Sequence, residues 1–122
     1  MSLRQKIIAV IDDDPGMLLA TARLLSAYGY GTETFDSATA FLNATATSEA
    51  TCLVVDIQLG DISGVELARQ LTAEGFEHPI IFMTALDDET TRSQAAAAGG
   101  VAYLNKPFPG QLLIEAIIKS MG

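Results

Sequence analysis

The sequence predicts an α/β fold in which a doubly wound parallel sheet of five strands is covered on both faces by helices. Short apolar runs flanked by turn signals are typical of buried parallel strands, and the chain contains four, at 7–11, 52–55, 79–83 and 101–105. Helical patterns separate these runs, which gives the strand–helix alternation of a doubly wound sheet. Each run also ends at a polar residue. Because the carboxyl ends of parallel strands share one edge, where ligands bind, these polar residues predict a site.

The helices between these runs have clear ends. Asp14 and Pro15 predict the start of the first helix, because a capping carboxylate and a proline in the first turn both suit a helix amino terminus. Ser63, followed three residues later by Glu66, predicts a capping box at the third helix, and Pro109 opens the last one. Gly29 and Gly75 are expected to end the first and third helices. The residues expected to face the core are Leu18, Ala22 and Leu25 in the first helix, Phe41 and Leu42 in the second, and Leu113, Ile114, Ile117 and Met121 in the last.

The remaining elements have weaker patterns. Residues 30–35 are polar at alternate positions and predict an edge strand. Residues 37–46 and 87–98 predict the second and fourth helices, and residues 57–62 predict a loop after the third strand. We therefore expect five strands and five helices in strict alternation.

Composition limits the function classes. A chain of 122 residues with 49% apolar and 18% charged residues is expected to be one packed domain, residues 1–122. The net charge of -8 argues against direct binding to nucleic acid or to an anionic membrane, since both are bound through basic patches. The single cysteine excludes an intrachain disulfide, and no apolar stretch has the roughly 18 residues of a membrane span or a signal-peptide pattern. We expect a cytoplasmic protein.

The strand ends predict a cation site. Asp12 and Asp13 follow the first strand and Asp56 follows the third, so their carboxylates would repel one another unless a cation offsets them. Mg²⁺ is suited to this role, because it takes oxygen ligands and keeps positions open for water and phosphate oxygens. Asp14, which precedes Pro15, is interpreted instead as a helix cap.

Thr84 and Lys106 indicate the chemistry. They end the fourth and fifth strands and would bring a hydroxyl and an ammonium beside the carboxylates, which suits a transferring phosphoryl group. Asp56 would be the nucleophile and would form an aspartyl phosphate.

With these residues in place, the chain resembles the receiver domains of two-component response regulators over its whole length, from Ile7 to Met121. The resemblance rests on Asp12-Asp13, Asp56, Thr84-Ala85, Tyr103 and Asn105-Lys106-Pro107-Phe108. It implies a flavodoxin-like sheet with strand order 2-1-3-4-5 and a cis Lys106-Pro107 bond. It also implies a switch and not an enzyme, since such a domain catalyses only its own phosphotransfer and dephosphorylation.

The resemblance assigns roles to the site. Asp56 would accept phosphate from a histidine kinase or a phosphotransfer protein. Asp13 and the main-chain carbonyl of Gln58 would bind Mg²⁺ with Asp56, and Asp12 would hold a metal-bound water. The phosphoryl oxygens would be contacted by two further side chains, Thr84 and Lys106.

The family also implies a switch built from Thr84 and Tyr103. Phosphorylation adds roughly -1.5 to -2 charges at Asp56, which would draw in the Thr84 hydroxyl and let the Tyr103 ring fill the vacated space. The surface made by the fourth helix, fifth strand and fifth helix would then change for a downstream protein, a fused output domain or a second copy. The residues alone favour the simpler interpretation of Tyr103 as a strand residue with a buried ring and an exposed hydroxyl.

Two positions depart from the family pattern. Gly60 stands where many receivers have proline, and Ser63-Gly64 stands where many have Asp-Gly. Neither position supplies a side chain to the chemistry, but Gly60 is expected to loosen the loop that carries the Gln58 carbonyl.

Three other functions are alternatives to the receiver. A haloacid-dehalogenase-like phosphatase would use Asp12 and Asp14, but Gly16 stands where that motif has a hydroxyl residue, and Asp56 is left unexplained. A phosphorylation-independent interaction module usually lacks part of the acidic and lysine set that is present here. A flavin carrier would need a phosphate loop where the first aspartates stand. His78 is interpreted as a loop residue and Cys52 as a core residue.

Overall fold

The chain forms one parallel sheet whose strands alternate with helices. The computed structural model describes residues 5–121, so residues 1–4 and 122 of the predicted domain 1–122 lie outside the described part. The elements, in order, are β1 (Ile7–Ile11), α1 (Pro15–Ala27), β2 (Gly31–Phe35), α2 (Ala38–Ala44), β3 (Cys52–Asp56), α3 (Gly64–Ala73), β4 (Ile80–Thr84), α4 (Glu89–Ala97), β5 (Gly100–Asn105) and α5 (Gly110–Met121).

The strand order brings the polar strand ends together. The sheet runs β2-β1-β3-β4-β5, and every paired strand is parallel to its neighbour, which confirms the expected order. Ile11 is paired with Val55 across β1 and β3, so the residues that follow them, Asp12 and Asp56, lie at the same level. The direction of winding reverses at this pair of strands, which is where doubly wound sheets bind ligands.

Alternation along the buried strands separates two cores, one on each face of the sheet. On β3, for example, Leu53 and Val55 face one side, while Cys52 and Val54 face the other. The first core is completed mainly by α2, α3 and α4, and the second by α1 and α5. Burial on both faces explains why β1, β3 and β4 read as continuous apolar runs.

The predicted starts of α1 and α3 are confirmed by their capping hydrogen bonds. The Asp14 carboxylate accepts hydrogen bonds from the Gly16 and Met17 amides at 2.9 and 3.3 Å. The Ser63 hydroxyl accepts one from the Glu66 amide at 3.1 Å, while the Glu66 carboxylate lies 3.5 Å from the Arg69 guanidinium. Of the predicted capping box, the structure shows the hydrogen bond to Ser63, while the Glu66 side chain forms an ion pair with Arg69 along the helix.

Several boundaries differ from the sequence prediction by one or two residues, and three of these differences have a cause in the structure. Helix α4 begins at Glu89 and not at residue 87, because the Asp88 carboxylate accepts hydrogen bonds from the Thr91 amide and hydroxyl and so sets the cap. Helix α2 ends at Ala44, whose carbonyl accepts amide hydrogen bonds from the following turn. Strand β5 starts earlier, at Gly100, where a shift in register interrupts its pairing with β4.

No helix within residues 5–121 is long and apolar enough to cross a membrane.

Candidate functional site

A lysine bridges two carboxylates at the carboxyl edge of the sheet. The Lys106 ammonium donates hydrogen bonds to Oδ2 of Asp12 at 2.8 Å and to Oδ2 of Asp56 at 2.9 Å. Asp12 is 0% exposed and Asp56 is 5% exposed, whereas the Lys106 side chain keeps 17% of its surface. The structure thus brings together residues from the ends of β1, β3 and β5 that the sequence placed in one site.

The backbone fixes the other oxygen of each buried carboxylate. Oδ1 of Asp12 accepts a hydrogen bond from the Asp14 amide at 3.0 Å, and Oδ1 of Asp56 accepts one from the Gln58 amide at 3.0 Å. Each carboxylate is therefore held by an amide on one oxygen and by Lys106 on the other. Such held carboxylates are oriented before any ligand arrives.

The acidic group fits a divalent cation. Carboxylate oxygens of Asp12, Asp13 and Asp56 lie within 4.8 Å of one another, and Asp13 is the exposed member. Three carboxylates against the single Lys106 ammonium leave two uncompensated negative charges at this edge. Hard oxygen donors with that charge are the donor set that Mg²⁺ takes in proteins.

Burial and charge pull on the ionisable groups in opposite directions. Burial raises the pKa of Asp56, and the Asp12 carboxylate adds to this, although Lys106 and the Gln58 amide partly offset it. For Lys106, burial alone would lower the pKa, but the hydrogen bonds to Asp12 and Asp56 raise it above the ordinary value. Lys106 therefore stays a cation at neutral pH while it faces the buried carboxylates.

Thr84 is fully buried at the end of β4 and is tied to the residues around it. Its hydroxyl oxygen accepts a hydrogen bond from the Leu86 amide at 3.0 Å, and its carbonyl accepts one from the Lys106 amide at 2.7 Å. The same residue thus contacts the loop before α4 and the backbone of the lysine that holds Asp56. The Lys106-Pro107 peptide bond is cis, as the family resemblance implied.

Tyr103 is joined to that loop through its hydroxyl. The phenol donates a hydrogen bond to the Leu86 carbonyl at 3.0 Å, so the hydroxyl is not left to solvent alone. The Arg92 guanidinium carbon lies 4.6 Å from the centre of the Tyr103 ring, and Arg92 also reaches Asp87 and Asn105 at 3.4 Å. The sequence does not signal this contact, because no periodicity relates Arg92 to a residue eleven positions away.

The loop between β3 and α3 passes close to the carboxylates. A Cβ atom at Gly64 would lie 2.5 Å from the Asp56 carbonyl oxygen, so only glycine permits this approach of α3 to the end of β3. A Cβ atom at Gly60 would meet Oδ2 of Asp13 at 3.8 Å, an ordinary contact. The Gln58 side chain accepts a hydrogen bond from the Ala85 amide at 3.4 Å, so this loop also contacts the residue after Thr84.

The two residues that the sequence placed outside the site lie outside it. His78 is exposed and its ring meets Phe76 edge-on, with 5.4 Å between ring centres. Cys52 is buried in β3, and burial raises the pKa of its thiol to about 12.

Comparison with known proteins identifies the family. The family model for the response regulator receiver domain matches residues 8–118, nearly the whole chain. The chain belongs to the response regulator receiver domain family. Membership makes it a phosphoacceptor domain of two-component signalling, and not a conventional enzyme.

Relatives of this receiver domain include response regulators of bacteria. Response regulator protein TodT of Pseudomonas putida is 37% identical over 117 residues, which cover 96% of this chain and 52% of TodT. Transcriptional regulatory protein FixJ of Azorhizobium caulinodans is 35% identical over 115 residues, covering 94% of this chain and 54% of FixJ. The receiver domain thus spans about half the length of these curated relatives.

Solved structures share the fold. The crystal structure of FixJ-N superposes with a TM-score of 0.88 at 30% identity, covering 97% of this chain and 94% of that one. A CheY-like receiver domain protein from Methanospirillum hungatei JF-1 gives a TM-score of 0.89 at 27% identity, covering 95% and 93%. These matches favour the receiver over the phosphatase and flavin-carrier alternatives.

Proposed function

We propose that Asp56 is the phosphoacceptor of this receiver domain. The observation that carries the proposal is the Lys106 ammonium, which contacts Asp56 and Asp12 at once at the carboxyl edge of the sheet. A carboxylate oxygen of Asp56 would attack the phosphorus of a phosphohistidine on a histidine kinase or phosphotransfer protein. The P–N bond of the donor breaks as the new P–O bond forms, and the product is an aspartyl phosphate.

Lys106 and Thr84 are proposed to contact the phosphoryl oxygens. Lys106 already lies against the nucleophile, so its charge would move with little rearrangement from a carboxylate oxygen to a phosphoryl oxygen. Thr84 is buried beside it and carries a hydroxyl whose oxygen accepts one hydrogen bond, which leaves its proton free to be donated.

Asp13, Asp56 and the main-chain carbonyl of Gln58 are proposed to hold Mg²⁺, with Asp12 acting through a water. The close approach of the three carboxylate oxygens supports this assignment. The bound ion would supply countercharge to the phosphoryl oxygens during transfer.

Thr84 and Tyr103 are proposed to carry the change to the surface of α4, β5 and α5. The Leu86 backbone connects them, since its amide reaches Thr84 and its carbonyl accepts from Tyr103. A downstream protein, a fused output domain or a second copy of the domain would bind there. The curated relatives are about twice as long as this chain, and some are named transcriptional regulatory proteins. Their length supports a fused output region in addition to a single receiver domain at 1–122.

The test is intact-mass analysis after incubation with acetyl phosphate, with and without Mg²⁺. We expect one added phosphoryl group that requires both Mg²⁺ and Asp56, so that Asp56→Asn stays unmodified. Asp36→Asn is the matched control, because Asp36 also follows a strand but is exposed at the edge of the sheet. A wild-type domain that binds neither Mg²⁺ nor phosphate would instead support the phosphorylation-independent interaction module.

A further inference from the structure

Asp61 links the loop after the phosphoacceptor to a different part of the chain. Its carboxylate accepts hydrogen bonds from the Ala38 amide at 3.3 Å, the Thr39 amide at 2.8 Å and the Thr39 hydroxyl at 2.6 Å. These groups form the first turn of α2, which is 22 and 23 positions away in sequence. The contact is therefore a tertiary bond between the β3–α3 loop and the start of α2.

Helix α2 has its own cap, so Asp61 supplies more than helix termination. The Ser37 hydroxyl accepts a hydrogen bond from the Ala40 amide at 3.0 Å, as an ordinary N-cap does. The Asp61 carboxylate accepts hydrogen bonds from the two preceding amides, those of Ala38 and Thr39, which the Ser37 hydroxyl does not bind. The hydroxyl and amide of Thr39 hold the pKa of Asp61 well below its usual value, so the group is a carboxylate throughout the neutral range.

The loop that Asp61 anchors is short and begins at the phosphoacceptor. Its first residues are held by the Gln58 amide on Asp56 and by the Gly64 amide, which donates to the Ile57 carbonyl at 2.8 Å. Between these points lies Gly60, the glycine of this loop, whose backbone is the least restricted sterically and which precedes Asp61 in sequence. Besides the 3.4 Å contact of the Gln58 side chain with the Ala85 amide, the bonds from Asp61 are the side-chain hydrogen bonds that tie this loop to another part of the described chain.

We propose that Asp61 is a positioning residue for the metal site: its bonds to α2 hold the β3–α3 loop so that the Gln58 carbonyl is presented beside Asp13 and Asp56. The inference rests on the proposed function, since it assumes that this carbonyl binds Mg²⁺. In this arrangement the bonds of Asp61 restrict the loop backbone, as a proline at position 60 does in many receivers.

The decisive variants are Asp61→Ala, Asp61→Asn and Thr39→Val. The Ala and Asn variants lose the same charge, but only Asn keeps an oxygen that can accept from the α2 amides. Thr39→Val keeps the Asp61 charge and removes the hydroxyl that makes the shortest bond. Ser37→Ala is the control for α2 stability, because it removes the local cap and leaves the contact between Asp61 and α2 intact.

The measurement is a titration of each ¹⁵N-labelled domain with MgCl₂ alone, followed by the backbone amides of Gln58 and Gly60. We expect Asp61→Ala to weaken Mg²⁺ binding by about 3- to 10-fold, below the 10- to 100-fold typical of a group that touches a metal ligand directly. Asp61→Asn should recover part of the loss, Thr39→Val should weaken binding by a smaller factor, and Ser37→Ala should bind like wild type. Saturating Mg²⁺ should restore phosphorylation of Asp61→Ala by acetyl phosphate.

Other outcomes overturn the inference in distinguishable ways. Equal loss in the Ala and Asn variants, with Thr39→Val like wild type, would show that only the charge of Asp61 matters. Equal loss in Ser37→Ala would assign the effect to α2 stability. Wild-type binding in every variant would refute the positioning role while the proposed function stands. A wild-type domain that shows no Mg²⁺ binding at all would remove the proposed metal site and this inference together.

Discussion

Lys106 and Asp56 meet at 2.9 Å although they are 50 positions apart in the sequence. The contact exists because β3 and β5 end at the same edge of the sheet on either side of β4. In the absence of a metal ion, this lysine is the group that offsets two buried carboxylates. The stability of the domain should therefore depend on it.

Lys106→Ala should lower the free energy of unfolding by up to about 3–5 kcal/mol in EDTA at pH 7, because it leaves two buried carboxylates without a cation. The buried Asp56, whose pKa burial already raises, would have its pKa raised further. A raised pKa in the folded state favours the protonated form, so the variant should regain stability as the pH falls from 7 toward 5.

Urea unfolding of Lys106→Ala at both pH values tests this expectation. Lys119→Ala provides the control, since Lys119 is exposed in the last turn of α5 and should change stability by less than about 0.5 kcal/mol. Equal stability of Lys106→Ala and wild type in EDTA would show that the ion pair is not stabilising.

The two glycines of the β3–α3 segment should respond differently to alanine. Gly64→Ala should destabilise the domain by about 1–3 kcal/mol, because the new Cβ would lie 2.5 Å from the Asp56 carbonyl oxygen and 3.0 Å from the Ile57 Cα. Gly60→Ala should be neutral or raise stability by up to about 1 kcal/mol, because it meets only Asp13 at 3.8 Å and narrows the unfolded ensemble.

Chemical denaturation followed by circular dichroism checks this pair of variants. Phosphorylation of Gly64→Ala by acetyl phosphate should also slow, since the backbone that must move carries Asp56. Destabilisation of Gly60→Ala as large as that of Gly64→Ala would mean that Gly60 is packed more tightly than its 3.8 Å contact with Asp13 indicates.

The strands and the carboxylate site could be predicted because they depend on periodic or positional signals. The apolar runs predict the central strands, and the carboxyl ends of parallel strands share one edge of the sheet regardless of the loop sequences. The bond between Asp61 and Thr39 could not be predicted in the same way, because it joins two irregular positions through side chains. The start of β5 at Gly100 could not be predicted either, because a register shift against Ile80 and Ile81 has no periodic signature.

The contact of Arg92 with Tyr103 predicts a measurable change in the tyrosine. Burial raises the pKa of Tyr103, Arg92 partly lowers it, and the carboxylates of Asp88 and Asp87 raise it. Arg92→Ala should therefore raise this pKa further, and Asp87→Asn should lower it. Titration of ¹³C-tyrosine-labelled protein by NMR resolves Tyr103 from the two other tyrosines.

Arg69→Ala is the matched control for Arg92→Ala, because Arg69 is an equally exposed helix arginine that pairs with Glu66 on α3. It should leave the pKa of Tyr103 unchanged. A fall in the pKa of Tyr103 on removal of Arg92 would contradict the contact between the guanidinium and the ring.

Cys52 gives a prediction about both reactivity and pH. Burial raises the pKa of its thiol to about 12, with only partial compensation from the Ser120 side chain, so the thiol stays protonated at pH 8. Native protein should therefore react with iodoacetamide only through unfolding, and urea should bring the rate of alkylation to that of a free thiol.

The raised pKa of Cys52 also predicts how stability depends on pH. The free energy of unfolding should not depend on this thiol below its unfolded pKa near 9, and it should fall progressively as the pH rises from 9 toward 12, because the unfolded thiol ionises first. Cys52→Ala lacks this group, so its free energy of unfolding should fall less steeply than that of wild type between pH 9 and 11. Parallel pH dependences, or fast alkylation of the native protein, would show that the thiol is accessible and not packed in the core.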